Sequence, residues 1–325
     1  MREVQARRKF QKFKPEGPVA TREPKVENNP DPENLEKLRQ AFNKMRWRGY
    51  SPETPSFSYD DAVALIKGIS YSRKEVEAFT VVLPEPEEHN TDDSHIFQHQ
   101  VGVFLSALIN CGQDDCYRID TSFMDLPPSF LGSRNTKKVI VKGSTGIGPG
   151  YQMESGMLVI EGDCGTSAGR WMTGGKILVM GNAGGILGFC MESGVIHVHG
   201  NAGSDIGNCM KGGIIKVDGN AGPDAGRGLL GNAKIFIGKN AGPDAGSSMK
   251  SGRLVIHGDA LGAVGNHMEG GLIYVGGDMH GFLSCGKGGL IILKGNTPHL
   301  AHLEEADPPY GRIFHKGKIL TQKKY

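Results

Sequence analysis

Two pairs of histidines have spacings that could hold a metal ion. His95 and His99 are four residues apart, so a helix would place both side chains on one face. The Glu of the metalloprotease pattern is missing between them, and we therefore favour a surface pair. His299 and His302, with Glu304 nearby, are interpreted as part of a polar C-terminal loop. Neither pair predicts a metal centre.

A row of acidic residues is the one weak candidate for a metal site. Asp205, Asp224 and Asp244 recur at the same place in three consecutive copies of a repeat. If the copies stack, neighbouring carboxylates lie roughly 5 Å apart, where a hard cation such as Ca²⁺ could bridge them. The alternative is that all three point into solvent, where water and salt screen their repulsion, and we favour this alternative.

The remaining reactive side chains indicate no catalytic chemistry. Cys190 and Cys209 also occupy equal places in consecutive copies, which predicts a small apolar stack with a spacing of about 5 Å. The six cysteines match no standard disulfide or zinc framework. The glycine-rich turns lack the Lys-Ser/Thr that follows a phosphate-binding loop. We predict no catalytic residue, no cofactor-binding residue and no cofactor.

The aspartate row and the pair Cys190 and Cys209 are carried by copies of one 19-residue unit, eight of which run from Lys138 to Gly289. A fixed period of this length is typical of a solenoid. The second and fourth positions of each unit are apolar, which predicts a short strand with one buried face. The sixth position is Gly in seven of the eight units and is usually followed by Asn or Asp. We expect a tight corner there, since Gly accepts positive φ and the Asx side chain can bond its own backbone. Representative glycines are Gly162, Gly181, Gly200 and Gly219.

The sixteenth position of the unit is nearly always methionine. Stacked copies would form a buried methionine column, because a flexible side chain fills an irregular interior well. A metal-binding methionine array is the alternative that we disfavour. The column comprises Met153, Met172, Met191, Met210, Met249 and Met268, with Leu229 replacing one methionine.

The predicted fold is mainly β. It is a right-handed single-stranded parallel β-helix, a solenoid of about eight coils, with a small and mainly helical N-terminal region. The predicted divisions are a flexible arm (1–30), a mostly helical cap or docking region (31–135), the β-helix (136–298) and a C-terminal tail (299–325). Helices are expected at Glu33–Arg46, Tyr59–Lys67 and Ser72–Val82, with Gln100–Asn110 either helix or strand.

Composition limits the classes of partner and the compartment. The net charge is only +2, and acidic and basic residues are mixed, so nucleic acid is not expected as a partner. The basic residues near the N-terminus are interpreted as part of a solvated tail. No apolar stretch approaches the roughly 20 residues that span a bilayer, and the N-terminus lacks a secretory signal. We therefore expect a cytoplasmic protein without a membrane partner.

The repeat resembles a known type of domain. Its G-N/D-A-G-x-x-x-G-x-x-M-x-G-G signature is similar to the glycine-rich GXGXG β-helix domain, over about half of the chain, from Lys138 to Asn296. That domain closes the large subunit of glutamate synthase, and it also makes up one of the subunits of formylmethanofuran dehydrogenase. The run GMLVIEGDCGTSAGRWMTGG is similar to the synthase version, and the succession of GNAG units is closer to the dehydrogenase version. The segment that begins CYRID resembles a lead-in strand and first coil.

The resemblance implies a function without catalysis by this chain alone. In both families the β-helix holds catalytic domains or subunits in place. The expected function is that of a scaffold subunit of a larger oxidoreductase complex, with catalytic subunits as its protein partners. A homo-oligomer remains open. The alternatives are a glutamate synthase-related subunit in ammonia and glutamate metabolism, or an enzyme with a binding groove along the coils. Such grooves usually show stacked aromatics, of which the coils offer only Trp171 and a few tyrosines.

Overall fold

The structure is a computed structural model that describes residues 30–45, 56–80, 83, 91–281, 288–297 and 311–319. The predicted arm up to residue 29 lies outside this part of the chain. So do Cys285, the predicted loop with His299, His302 and Glu304, and much of the predicted C-terminal tail. The side chain of His95 also falls outside the description.

Twelve short strands form one sheet in which each strand pairs with the next along the chain. Strands β1 to β11 are parallel to their neighbours, and β12 pairs antiparallel with β11. The strands are β1 (Cys116–Asp120), β2 (Lys138–Lys142), β3 (Met157–Ile160), β4 (Lys176–Val179), β5 (Val195–Val198), β6 (Ile214–Val217), β7 (Lys234–Ile237), β8 (Arg253–Ile256), β9 (Leu272–Val275), β10 (Leu290–Leu293), β11 (Arg312–His315) and β12 (Lys318–Ile319). The predicted parallel β-helix is confirmed.

The solenoid has about ten turns, so the prediction of eight coils was too low. The additional turns lie at the two ends. Cys116 pairs with Lys138 and Leu290 pairs with Arg312, so each terminal turn is longer than the 19-residue repeat. The period therefore misses these turns, although their strands continue the same ladder.

The interior of the solenoid is built from columns of equivalent residues. Side chains at the second and fourth strand positions are buried in every coil from β2 to β10. A run of parallel bridges lies on another side of the coil, beginning with Thr145 and Cys164 and continuing through Ala183 and Ala202. Met191 and Met210 are completely buried, which confirms the methionine column. In most units the terminal glycine makes room for this column, because a Cβ at Gly194, for example, would lie 2.7 Å from Cε of Met172.

The corner after each strand works differently from the expectation. Gly181 and Gly200 do not have positive φ. They are required because a Cβ on Gly200 would lie 2.6 Å from the backbone oxygen of Gly181, one coil away. The Asx side chain also does not bond its own backbone. Oδ1 of Asn182 accepts from the backbone N–H of Asn201 at 2.9 Å, and the same bond recurs from coil to coil. Both corrections arise because coils stack only about 4.8 Å apart.

Within the part of the chain that the structure describes, four helices precede the solenoid: α1 (Pro32–Lys44), α2 (Ser56–Ile66), α3 (Arg73–Phe79) and α4 (Thr91–Cys111). The predicted helical N-terminal region is confirmed, and the segment left open as helix or strand is part of α4. Ser106 of α4 joins the helices to the first coil, since its buried Oγ accepts from the backbone N–H groups of Gly132 and Ser133 at 2.9 and 3.2 Å. Asn110 makes a second link by donating to the backbone oxygen of Ser133 at 3.0 Å. None of the described helices is long and apolar enough to cross a membrane.

Candidate functional site

The outward side of the strands is unusually apolar for a surface. We call the outer strand face the row of third strand positions, which point away from the core because side chains alternate along a strand. The row from β3 to β9 comprises Val159, Leu178, His197, Lys216, Phe236, Val255 and Tyr274. All but Val255 are partly exposed. At about 4.8 Å per coil, the row is roughly 30 Å long.

The first strand positions border this row, and their charges are basic. Lys176 is partly exposed, and Lys234 and Arg253 are exposed and directly adjacent in register. Apolar side chains occupy the other first positions, for example Val195 and Ile214. The face therefore combines a long apolar row with positive charge, which is the composition of a surface that another protein covers.

A polar cluster interrupts the apolar row at β5 and β6. His197 and His199 alternate along one chain segment, so both point outward. Lys216 lies directly beside His197 in register, and Asp218 follows β6 at the place beside His199. The parallel ladder, rather than a loop, fixes the backbone of all four residues.

The cluster converges on one carboxylate oxygen. Nε2 of His197 and Nδ1 of His199 each lie 2.9 Å from Oδ2 of Asp218. The two imidazole ring centroids are 4.3 Å apart. Nζ of Lys216 lies 2.5 Å from the other carboxylate oxygen, Oδ1. Two imidazoles and one ammonium group thus surround a single carboxylate.

The pKa values follow from burial and these contacts. Burial lowers the pKa of His197, and the adjacent Lys216 lowers it further, although Asp218 acts in the opposite direction. The imidazole of His197 is therefore neutral at neutral pH. Burial alone would raise the pKa of Asp218, but hydrogen bonds from Lys216 and His197 outweigh burial and hold it below its ordinary value. The carboxylate is ionised, and both imidazole side chains point at its charge.

This cluster was not among the predicted sites, although the repeat contains the signal that reveals it. The relevant units begin VIHVHG and IIKVDG. When the two are aligned, His and Lys share the third position, and His and Asp share the fifth. Odd strand positions point outward, so the alignment alone places the four residues side by side. Metal-ligand spacing along the chain does not reveal the cluster, because its members meet across the coils.

No protein-family model matches the chain, and no curated protein matches it significantly. The resemblance to GXGXG domains therefore depends on the repeat signature alone.

The acidic row forms, but its carboxylates are not simply solvated. Asp205, Asp224 and Asp244 stand at the same left-handed corner of successive coils, with φ of 56°, 59° and 60°. All three are partly buried. Burial and the two neighbouring aspartates raise the pKa of Asp224, while Arg227, 3.9 Å away, opposes them. The row is a set of like charges close to the guanidinium of Arg227, and Ca²⁺ binding there is still the disfavoured alternative, which a titration tests.

The histidine pair on α4 does not form the predicted surface pair. His99 is only 9% exposed, and its ring packs edge-on against Phe130 at a centroid distance of 5.0 Å. The interpretation as a surface residue was wrong because α4 lies against the first coil, which the sequence of the helix does not show.

The two cysteines expected to stack occupy adjacent corners and are free thiols. Cys190 and Cys209 both have positive φ, 52° and 56°. Burial and the neighbouring Cys209 raise the pKa of Cys190. The thiol of Cys190 is therefore protonated at neutral pH and is a poor nucleophile.

Aromatic residues stack along the first coils, which the sequence analysis did not foresee. Phe130, Tyr151, Trp171 and Phe189 follow one another at centroid distances of 5.7, 5.3 and 6.4 Å. The rings meet edge to face, and the guanidinium of Arg170 lies 4.2 Å from the centroid of Trp171. Phe130 and Tyr151 are buried. The stack therefore presents no row of open ring faces of the kind that binds sugars, and it serves packing.

Proposed function

We propose that this chain is a scaffold subunit that organises partner catalytic subunits along its β-helix. The outer strand face is the observation that carries the proposal. A solvated solenoid would carry polar side chains at its outward strand positions. Here Val159, Phe236 and Tyr274 occupy them along roughly 30 Å of rod.

The charge of the outer strand face favours a different protein as the partner and disfavours a second copy of this chain. Lys234 and Arg253 are exposed and adjacent, and Asp218 is already neutralised by its neighbours. Pairing two such faces would bring positive charge against positive charge, which disfavours association. A partner with an apolar and acidic surface would match both properties.

The rigidity of the solenoid suits the same function. Each coil is tied to the next by a parallel ladder and by a side-chain ladder of Asn and Asp residues. Interfaces presented by such a rod keep a fixed spacing, as the positioning of several subunits requires. The resemblance to GXGXG domains points the same way and favours an oxidoreductase complex as the setting.

The test is to isolate the tagged full-length chain with its native partners from its source organism. We expect a stoichiometric complex with catalytic subunits. A Phe236→Asp/Tyr274→Asp variant should release them, because it places charge in the apolar row. Glu269→Lys changes the charge at an exposed residue of another corner and serves as the control. The melting temperature of each variant shows whether its fold is intact.

The isolated chain should show no glutaminase, synthase or formate-transfer activity. Turnover without partner subunits, abolished by a point variant in this chain, would overturn the proposal. A stable homodimer that is broken by Phe236→Asp would also contradict it, because the outer strand face would then serve self-association.

A further inference from the structure

We propose that His197, His199 and Asp218 form a binding site for a divalent transition-metal ion, with Zn²⁺ as the best fit. The site does not depend on the scaffold function. Among the described residues, this is the one group of three His, Cys, Asp or Glu side chains whose ligand atoms converge, all within 4.8 Å of one another. Two imidazoles and a carboxylate are a ligand set that zinc and related metals accept.

The distances are close to those of a metal centre. In a tetrahedral zinc site with bonds of about 2.0 Å, ligand atoms lie about 3.3 Å apart. Nε2 of His197 and Nδ1 of His199 each lie 2.9 Å from Oδ2 of Asp218. For an ion to enter, each of these N···O distances must lengthen by a few tenths of an ångström. The two imidazole nitrogens, which lie within 4.8 Å of each other, must also settle at about 3.3 Å, and rotation of the side chains is the movement that provides both changes.

The parallel ladder organises these ligands in advance. His197 and His199 lie on one chain segment, and the hydrogen bond from the backbone N–H of Asp218 to the oxygen of Val198 at 2.9 Å fixes the next coil beside it. The side chains of His197, His199 and Asp218 are 16%, 35% and 33% exposed. The cluster is thus reachable from solvent, and a fourth ligand, water or a partner's side chain, can complete the coordination.

The ammonium group of Lys216 contacts the same atoms that a metal ion would bind, so the two compete for the site. An ammonium group has donors only, so its approach to Nε2 of His197 at 3.2 Å needs the lone pair of that nitrogen. For a hydrogen bond to Asp218, however, the same nitrogen must carry a proton that it donates to the carboxylate. One nitrogen cannot satisfy both contacts at once. A metal ion resolves this conflict because it takes the lone pairs of both imidazoles and the charge of the carboxylate, and Lys216 then turns to solvent.

This competition distinguishes a metal site from an ordinary ion-pair network. Removal of Lys216 would weaken an ion-pair network. For the metal site it removes a competitor, so Lys216→Leu should tighten binding of Zn²⁺ by at least about fivefold. Lys234→Leu is the matched control, since it removes an exposed lysine from the next coil that does not contact the cluster.

The experiment is calorimetric titration of Zn²⁺ into the full chain, free of tags and stripped with a chelator. We expect a saturable one-to-one isotherm. His199→Asn and, separately, Asp218→Asn should weaken it by at least about tenfold. His257→Asn, an exposed histidine at the same place of a later coil, should leave it unchanged. Co²⁺ provides a second measurement, because a site with these ligands gives visible absorption bands that His199→Asn abolishes.

Three results would overturn the proposal. These are the absence of a saturable isotherm, an isotherm that His199→Asn and Asp218→Asn leave unchanged, and an isotherm that His257→Asn abolishes. Circular dichroism of each variant accompanies the titrations. Asp218→Asn keeps the size and shape of the side chain, so it remains informative if His199→Asn unfolds the coils.

Discussion

The backbone N–H of Asn220 donates a hydrogen bond to Oδ1 of Asn201, its equivalent one coil away, at 2.9 Å. Asn201 in turn donates its own backbone N–H to Asn182 at 2.9 Å. The side chains at this corner therefore form a ladder along the rod that complements the ladder of the strands. Each rung satisfies a backbone group that the glycine corner would otherwise leave to solvent.

Loss of one rung should destabilise the solenoid moderately. We expect Asn201→Ala to lower the free energy of unfolding by about 1 kcal/mol, because the N–H of Asn220 loses its acceptor at an exposed corner. Asn201→Asp should restore most of the loss, since Asp163 already accepts in this way from Asn182. Urea denaturation followed by circular dichroism measures both. Equal losses for Ala and Asp would contradict the assigned role of Oδ1.

The methionine column should not tolerate charge. Met210 is completely buried, so Met210→Asp places an unpaired carboxylate in the core and should abolish stable folding of the coils at neutral pH. Met210→Leu keeps a similar volume and should cost less than about 1.5 kcal/mol. Thermal unfolding of the two variants makes the comparison. If Met210→Asp melts within a few degrees of the wild type, the side chain does not occupy the interior.

The helical region should lose stability in acid through Glu75. Burial alone would raise the pKa of Glu75, but hydrogen bonds from Ser72 and from the backbone N–H of Asp31 and Ser72 outweigh it and lower the pKa. A carboxyl group whose pKa is lowered in the folded state stabilises above its unfolded pKa, and this contribution disappears as the pH falls through the folded pKa.

The matched variant for this prediction is Glu75→Gln, which keeps the shape of the side chain. We expect it to cost about 1–3 kcal/mol at pH 7 and to differ less and less from the wild type as the pH falls below 4.5, the ordinary value for this group. Urea denaturation at a series of pH values tests this. A difference that stays constant down to pH 2 would show that the charge of Glu75 contributes nothing.

The acidic row should destabilise the folded chain through repulsion between its carboxylates, and it should not bind calcium. The raised pKa of Asp224, caused by burial and by Asp205 and Asp244, means that its ionisation opposes folding. The protonated carboxyl group of Asp224 contributes to the stability of the fold at low pH, and this contribution is lost as the pH rises through the folded pKa. Asp224→Asn should therefore raise the urea midpoint at pH 7 but not at pH 3, and Asn tolerates the left-handed φ of 59° there.

Calcium titration by calorimetry completes this test. We expect no saturable heat, because Arg227 lies 3.9 Å from Asp224 and already offsets the charge of the row. Saturable heat in the wild type that disappears in Asp224→Asn would show that the row is a cation site.

Much of the fold was predictable from the sequence because each unit repeats the same pattern of apolar residues and glycines. Apolar residues at positions such as Ile196 and Val198 predict a strand with one buried face, and the constant period predicts that the strands stack. The methionine column was predictable for the same reason. The repeat period did not predict the two terminal turns, since Cys116 and Arg312 belong to segments that lack the glycine signature and differ in length. The lead-in strand that begins at Cys116 was expected only from the resemblance to GXGXG domains.

The tertiary structure decided every contact between one coil and the next, and these contacts include the candidate site. His197 and Asp218 lie 21 residues apart in the chain and 2.9 Å apart in space, because outward side chains of stacked coils meet across a spacing of about 4.8 Å. It also decided the burial of His99, which depends on how α4 lies against the first coil. The sequence determined which side of each strand faces the core. Alignment of the units shows which outward side chains are neighbours, but only the packing decided which of their atoms meet, because that depends on side-chain conformations and on the spacing between coils.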